Sequence, residues 1–255
     1  MAWHLPQFNC PERRNGYRNF IGIFRSYPEK NIIMVKGRVL YLISVIFLLK
    51  MVDAEAQTVR DADGNIYVTI NIGKQTWMAE NLKSTKLNDG VPIPQVKDVN
   101  AWKALNSPGY CYYNNDEKNR DVYGALYNWY AVNTGKLCPK GFHVASDDEW
   151  QAMIDFLGDP MKAGDRLKEK GVDHWKNFLS QATDDYDFTA LPGGMRYFTG
   201  DFPLFGDGYA IWWTSTNYSE WQAINRGLHD SSSRTYKASD NKRSGFSVRC
   251  IKDQK

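Results

Sequence analysis

The chain has 255 residues, a length that fits one compact domain with a processing segment ahead of it. Its formal net charge of +3 is unevenly placed: residues 1–56 hold 8 Lys and Arg against 4 Asp and Glu, leaving 24 against 25 from Gln57 on, a balance of −1. A near-neutral domain lacks the basic field that draws nucleic acid, so no nucleic-acid partner is expected.

Residues 1–33 carry no reading as fold. Either they precede the natural start at Met34, or they form a disordered cytoplasmic extension. From Met34 the chain reads as an export signal. Lys36 and Arg38 give a positive start, residues 39–49 an apolar core, and Ala54-Glu55-Ala56 a small-x-small cleavage pattern, so residues 34–56 are expected to be removed before Gln57. The alternative is a membrane anchor, which needs roughly 20 apolar residues. Lys50 and Asp53 stop this run well short, so membrane contact is expected only through an uncleaved leader. The single domain 57–255 is thus expected in the periplasm, at the cell surface or outside the cell.

Asp61-Ala62-Asp63-Gly64-Asn65 is a turn signal, since Gly and Asn tolerate positive φ. Residues 66–72 alternate and are rich in β-branched side chains. With Gly73-Lys74-Gln75 turning the chain into Thr76-Trp77-Met78, they predict a β-hairpin. Residues 123–132 place Tyr123, Leu126, Tyr127 and Tyr130 at helical spacing and predict a first helix. A second is predicted at Ser146, where Glu149 completes a capping box and Asp147 and Asp148 suit the first turn. Trp150, Met153, Ile154 and Leu157 form its apolar stripe, and Gly158 and Pro160 end it. From Asp187 the chain is aromatic and turn-rich, predicting short strands separated by Pro192-Gly193-Gly194, Gly200, Gly206 and Gly208. The pattern is α+β.

Cys10 falls in the leader, leaving Cys111, Cys138 and Cys250. In an oxidising compartment an odd count means one bridge and one spare thiol. Cys138 precedes a helix start and Cys250 stands in the last predicted strand, so the expected pair is Cys138–Cys250, with Cys111 free and buried. Closing so long a loop is worth ~4 kcal/mol in the chain-entropy model.

Six separated motifs resemble the Fibrobacter succinogenes major paralogous domain, a family of exported bacterial proteins. They are Asp63-Gly64-Asn65, the run Ile72-Gly73-Lys74-Gln75-Thr76-Trp77-Met78-Ala79-Glu80-Asn81-Leu82, Tyr123-Gly124-Ala125-Leu126-Tyr127-Asn128-Trp129, Leu191-Pro192-Gly193-Gly194, Trp212-Trp213-Thr214-Ser215 and Ser247-Val248-Arg249-Cys250. The resemblance spans nearly all of residues 57–255 and implies export, but no molecular activity. A weaker similarity links Gly141-Phe142-His143-Val144-Ala145-Ser146-Asp147-Asp148-Glu149-Trp150 and the closing Gly245-Phe246-Ser247-Val248-Arg249-Cys250 to formylglycine-generating-enzyme-like domains. It implies a C-type-lectin-like fold, a twisted antiparallel sheet flanked by two helices with long loops. Val144-Ala145 in place of Leu-Pro and the inserted Ser247-Val248 depart from that pattern.

Chemistry is sparse. A formylglycine-type oxidase needs a close thiolate pair for copper, and only Cys250 lies in the last hundred residues. Asp184, Asp185 and Asp187 read as solvated charge; nothing fixes the ~5–10 Å carboxyl separation a glycosidase needs. No catalytic residue, metal site or cofactor is expected, although Asp201 and Asp207 could give oxygens to calcium. What remains is a dense aromatic stretch, residues 198–221, interleaved with glycine and acids. Trp212 and Trp213 are adjacent on one predicted strand and must face opposite ways. One of them is expected to point outward or into a second layer, while Trp77, Trp129 and Trp150 are expected in the core. The expected ligand surface is therefore Asp201, Asp207, Tyr209, Trp212, Trp213, Asn217, Glu220 and Trp221, in a non-catalytic module for a glycan or a surface protein. The alternative is an envelope enzyme, hydrolase or formylglycine-type oxidase, using the same loops as a pocket.

Overall fold

The computed structural model describes residues 57–175, 181–203 and 208–254; the expected extension and leader lie outside them. Strand β1 (Thr58–Arg60) leads into the predicted hairpin of β2 (Ile66–Ile72) and β3 (Gln75–Met78). The turn before β2 is built as its residue types suggest: the Asp61 carboxylate accepts from the backbone amides of Asp63 and Asn65, both at 2.9 Å, and from the Tyr67 hydroxyl at 2.7 Å. The chain's last strand, β10 (Cys250–Lys252), inserts between β3 and β6 (Phe142–Val144). The result is an antiparallel sheet of order β1-β2-β3-β10-β6.

Between β3 and β6 lie short pieces: α1 (Val99–Ala104), β4 (Tyr110–Cys111), α2 (Asn119–Tyr123), β5 (Leu126–Tyr127) and α3 (Trp129–Val132). The helix predicted over residues 123–132 is thus broken in three. Gly124 takes φ +77°, and a Cβ there would stand 2.8 Å from both the Leu82 carbonyl and the Asn81 side chain. Tyr127 exchanges both backbone bonds with Phe246, and Asn128 restarts a helix by accepting from the Ala131 amide. Backbone pairing with Phe246, over a hundred residues away, overrides the local period.

Helix α4 (Asp147–Leu157) forms as predicted. The Ser146 side chain accepts from the Glu149 amide, and Glu149 accepts from the Ser146 amide at 2.8 Å. Asp147 also faces β-structure, where its carboxylate meets Arg226 Nε and Lys237 Nζ, each at 2.5 Å. After α5 (Ala163–Leu167) come β7 (Tyr209–Asn217), β8 (Gln222–His229) and β9 (Thr235–Asn241), a three-stranded antiparallel meander. These strands, of 9, 8 and 7 residues, are longer than the predicted short ones.

The meander separates two core clusters. Trp213 packs with Phe246, ring centroids 4.4 Å apart, in a cluster holding Trp129 and Tyr127; Trp212 packs against Trp150 at 5.4 Å in a cluster holding Trp77 and Phe188. Both tryptophans are buried, so of the two expectations it is the second layer that is met.

Several residues that carry the family resemblance meet at one amide. Asn81 Oδ1 accepts from Trp212 Nε1 at 2.8 Å and from Arg249 Nε and Nη2 at 3.1 and 2.9 Å, while Asn81 Nδ2 donates to the Tyr123 carbonyl at 2.9 Å. Arg249 also donates to the carbonyls of Met78 and Phe188, and its guanidinium stacks on the Phe188 ring at 4.2 Å. Burial lowers its pKa to about 9. Cys138 and Cys250 are joined as expected, with Cα atoms 6.0 Å apart, and Cys111 is free and buried. Among the described residues no helix is long and apolar enough to cross a membrane.

Candidate functional site

One face of the meander carries a groove of about 680 Å³. Its floor follows from register. Ile211, Gly227 and Tyr236 stand side by side across the three strands, and Trp213, Asn225 and Ala238 form the next row. Asp240 lies one row further on, opposite Ala223. Because alternate residues share a face, Tyr209, Ile211, Asn225, Tyr236, Ala238 and Asp240 all line the groove. Gly227 permits a close approach: a Cβ there would sit 2.1 Å from Cζ and 2.2 Å from Oη of Tyr236. The phenol therefore crosses β8 at its glycine. The Tyr236 hydroxyl is held well above the usual phenol pKa by burial first and by Tyr209 and Asp240 after it.

The wall is the segment bearing Tyr197, Phe202 and Pro203. Arg196, fully buried, ties it down. Its guanidinium donates to the carbonyls of Gly200 (2.8 Å), Val96 (2.6 Å) and Lys97 (2.9 Å), and lies over the rings of Trp102 and Phe202 at 4.5 and 5.0 Å. Gly200, at φ +96°, lets the segment pass against α1, where a Cβ would stand 2.3 Å from the Val99 carbonyl oxygen. An aromatic wall fixed by a buried cation is preorganised, which lowers the cost of ordering on binding.

The groove's polar groups are unspent. Asn225 is 2% exposed, yet its side-chain amide has no hydrogen bond to any described residue. The hydroxyls of Tyr209 and Tyr236 likewise find no hydrogen-bond partner among them. Asp240 uses Oδ1 to accept from the Asn241 amide (2.6 Å) and Ser244 Oγ (2.8 Å), leaving Oδ2 to the groove. An amide without a protein partner that still reaches the groove is open to a ligand as donor and acceptor.

The eight residues expected from sequence divide. Tyr209 lines the groove, and Asp201 is exposed beside its Phe202 wall. Trp212 and Trp213, at 1% and 0% exposure, are core and offer no surface; the correction follows from the two-sided packing of β7. Asn217, Glu220 and Trp221 stand instead on the β7–β8 hairpin, where Trp221 is 60% and Tyr218 62% exposed. Asp207 lies outside the described residues. Sequence reasoning missed Asn225, Tyr236, Asp240 and Tyr197. The signal available was the alternation of residues 222–229 and 235–241, which puts Asn225 and Tyr236 on the face of Ile211 once the pairing is known.

A second cavity of about 530 Å³ lies beside β2 and β3, with Glu80, Lys83, Arg120, Asp121 and Arg249 in its lining. Its cations are engaged: Lys83 and Arg120 meet Asp121 at 3.6 and 2.9 Å, and Arg249 is held by Asn81 and backbone carbonyls. Among the described residues no group of three or more His, Cys, Asp or Glu converges as a metal site would.

The model of the Fibrobacter succinogenes major domain family matches residues 70–252. No curated protein and no solved structure gives a match.

Proposed function

The chain belongs to the Fibrobacter succinogenes major domain family, and from that premise we propose that it is an exported, non-catalytic binding module that holds a glycan or a surface protein in the groove of the β7–β9 sheet. The observation that carries this reading is the Asn225 amide, which lines an aromatic-walled groove and has no hydrogen-bond partner among the described residues. The groove's volume is that of small-ligand cavities, ~300–1,000 Å³. Among the described residues Asp240 is the one carboxylate lining it, whereas hydrolysis by paired acids uses two flanking the bond.

Export to the periplasm, cell surface or medium is part of the same reading. The leader-like residues 34–56 and the Cys138–Cys250 bridge support it, since disulfides persist in oxidising compartments. N-terminal sequencing of the exported protein should find Gln57 first; a retained apolar segment at 39–49 would mean an anchor. A C-type-lectin-like arrangement belongs here too, supported by the antiparallel sheet that takes in the last strand and by the capped helix after β6.

The test is a glycan array with a cell-surface pull-down, using the exported wild type beside a Tyr197→Ala, Phe202→Ala double variant. A ligand kept by the wild type and lost by the variant supports the reading. Capture indifferent to the groove, or turnover of a captured glycan, would sink it.

A further inference from the structure

We propose that the ligand of this groove is a neutral pyranose segment of a glycan, with the Asn225 amide as the central hydrogen-bonding group. This rests on the binding-module reading and narrows it to one chemistry. A neutral sugar ring has apolar faces and a rim of hydroxyls that both donate and accept. The groove offers the complement of each. Tyr197 and Phe202 supply aromatic wall, and rings of this kind give contact area at low entropic cost. Asn225 supplies a donor and an acceptor on one planar group, and the Tyr209 and Tyr236 hydroxyls can do either. Asp240 Oδ2 is an acceptor already oriented by the bonds to its other oxygen.

Charge excludes the acidic alternatives. Among the described residues no Lys, Arg or His lines the groove, and Asp240 is its one acidic side chain. A uronic acid, a sialic acid or a phosphate would bring a second negative charge beside that carboxylate, and the Arg196 guanidinium behind the Phe202 ring is already engaged by backbone carbonyls. Geometry disfavours an extended peptide. The floor is the face of a sheet, where side chains and not backbone groups meet a ligand, whereas an extended peptide pairs with a strand edge such as the outer edge of β9, which lies off this floor.

Asn225 also separates binding from folding. The Asn225 amide makes no hydrogen bond to a described residue, so an apolar side chain of similar volume removes no such bond and Asn225→Leu should melt close to the wild-type temperature. The experiment is calorimetric titration of the exported protein, its Asn225→Leu and its Tyr236→Phe variants. The probes are cellohexaose, mannohexaose, a galacturonate hexamer and a random heptapeptide pool, with a neutral-glycan array run in parallel. The wild type should bind at least one neutral saccharide. Asn225→Leu should weaken that binding roughly tenfold and Tyr236→Phe by about three- to tenfold, the worth of one or two hydrogen bonds. If no neutral glycan binds, or if both variants bind it as the wild type does, the proposal is overturned. Should Asn225→Leu fail to fold, Tyr236→Phe carries the same test. Binding of only the galacturonate or the peptides, lost on substitution of the groove, would overturn the sugar assignment and leave the binding module standing. Ligands that ignore the groove altogether would remove both.

Discussion

Asn81 shows how much of this protein hangs on single polar side chains. Its amide is the shared partner of Trp212 and Arg249, and Arg249 has no ion pair with any carboxylate among the described residues. Asn81→Ala leaves a buried cation short of two of its bonds to a neutral amide, a type of loss that costs about 1.5–3 kcal/mol. Urea unfolding should show a lower midpoint of that size, whereas a change under 1 kcal/mol would mean the hub is dispensable. His143 works at the surface and by charge. Its ring lies 2.9 Å from Glu149 and 2.7 Å from Asp253, joining the start of α4 to the chain end after β10. The hydrogen bond to Glu149 leads the causes that raise its pKa from 6.5 to about 9. Glu149 moves the other way, held below 4.5 by His143 and by Ser146 against the opposing effect of burial. The histidine's share of stability is complete below pH 6.5 and fades as pH rises through about 9; the glutamate's is complete above pH 4.5 and fades as pH falls below it. Solvent screens the pair, so the gain is modest. Melting temperatures of wild type and His143→Gln should differ most between about pH 4.5 and 6.5 and converge above pH 9. A constant gap across that range would remove the charge argument.

At the scale of elements, the two predicted helices mark what a sequence can and cannot disclose. Helix α4 is specified locally: cap, capping box, acidic first turn, apolar stripe and terminal Gly158 all lie within 13 residues, and each is found in place. Ser146→Ala should therefore cost about 1 kcal/mol, seen as a lower thermal midpoint with the fold intact; no change would mean that tertiary packing alone holds the helix end. Residues 123–132 carry a helical period too, but Gly124, Asn128 and the long-range bridge from Tyr127 to Phe246 divide them. Nothing in the local sequence announces that partner. The groove was hidden for the same reason. The aromatic density of residues 198–221 takes in part of the groove's lining, Phe202, Tyr209 and Ile211, yet its floor is made by β8 and β9, whose register exists only after folding. Gly227 reads as an ordinary strand glycine until Tyr236 is laid over it. Gly227→Ala should displace that ring, because the added methyl would sit 2.1 Å from Cζ. Tyrosine fluorescence and near-ultraviolet dichroism should change, and binding in the groove should weaken with them.

Across the whole molecule, one covalent bond secures the closure of the fold. Strand β10 lies between β3 and β6 and pairs with residues far earlier in the chain, Cys250 with Val144 and Ile251 with Trp77 and His143. The strand is only three residues long, so its ladder alone is a weak clasp. The Cys138–Cys250 bridge spans 112 positions and limits the unfolded ensemble most where the loop is longest. The chain-entropy model assigns such a loop about 4.8 kcal/mol, near the upper end of what removing a native bridge costs. This feature was legible because it needed only a thiol count and two placements, and because the odd cysteine sorts itself out. Cys111 is buried, and burial pushes its thiol up to about 12, so it stays protonated and takes no part in exchange. Reduction of the folded protein, or Cys138→Ser with Cys250→Ser, should lower the urea midpoint by the equivalent of about 3–5 kcal/mol. Cys111→Ser should leave the effect of reductant unchanged. If the midpoint of the bridged protein is insensitive to reductant, the ladder and the Arg249 hub hold β10 without the bond, and the bridge guards only against local opening of the chain end.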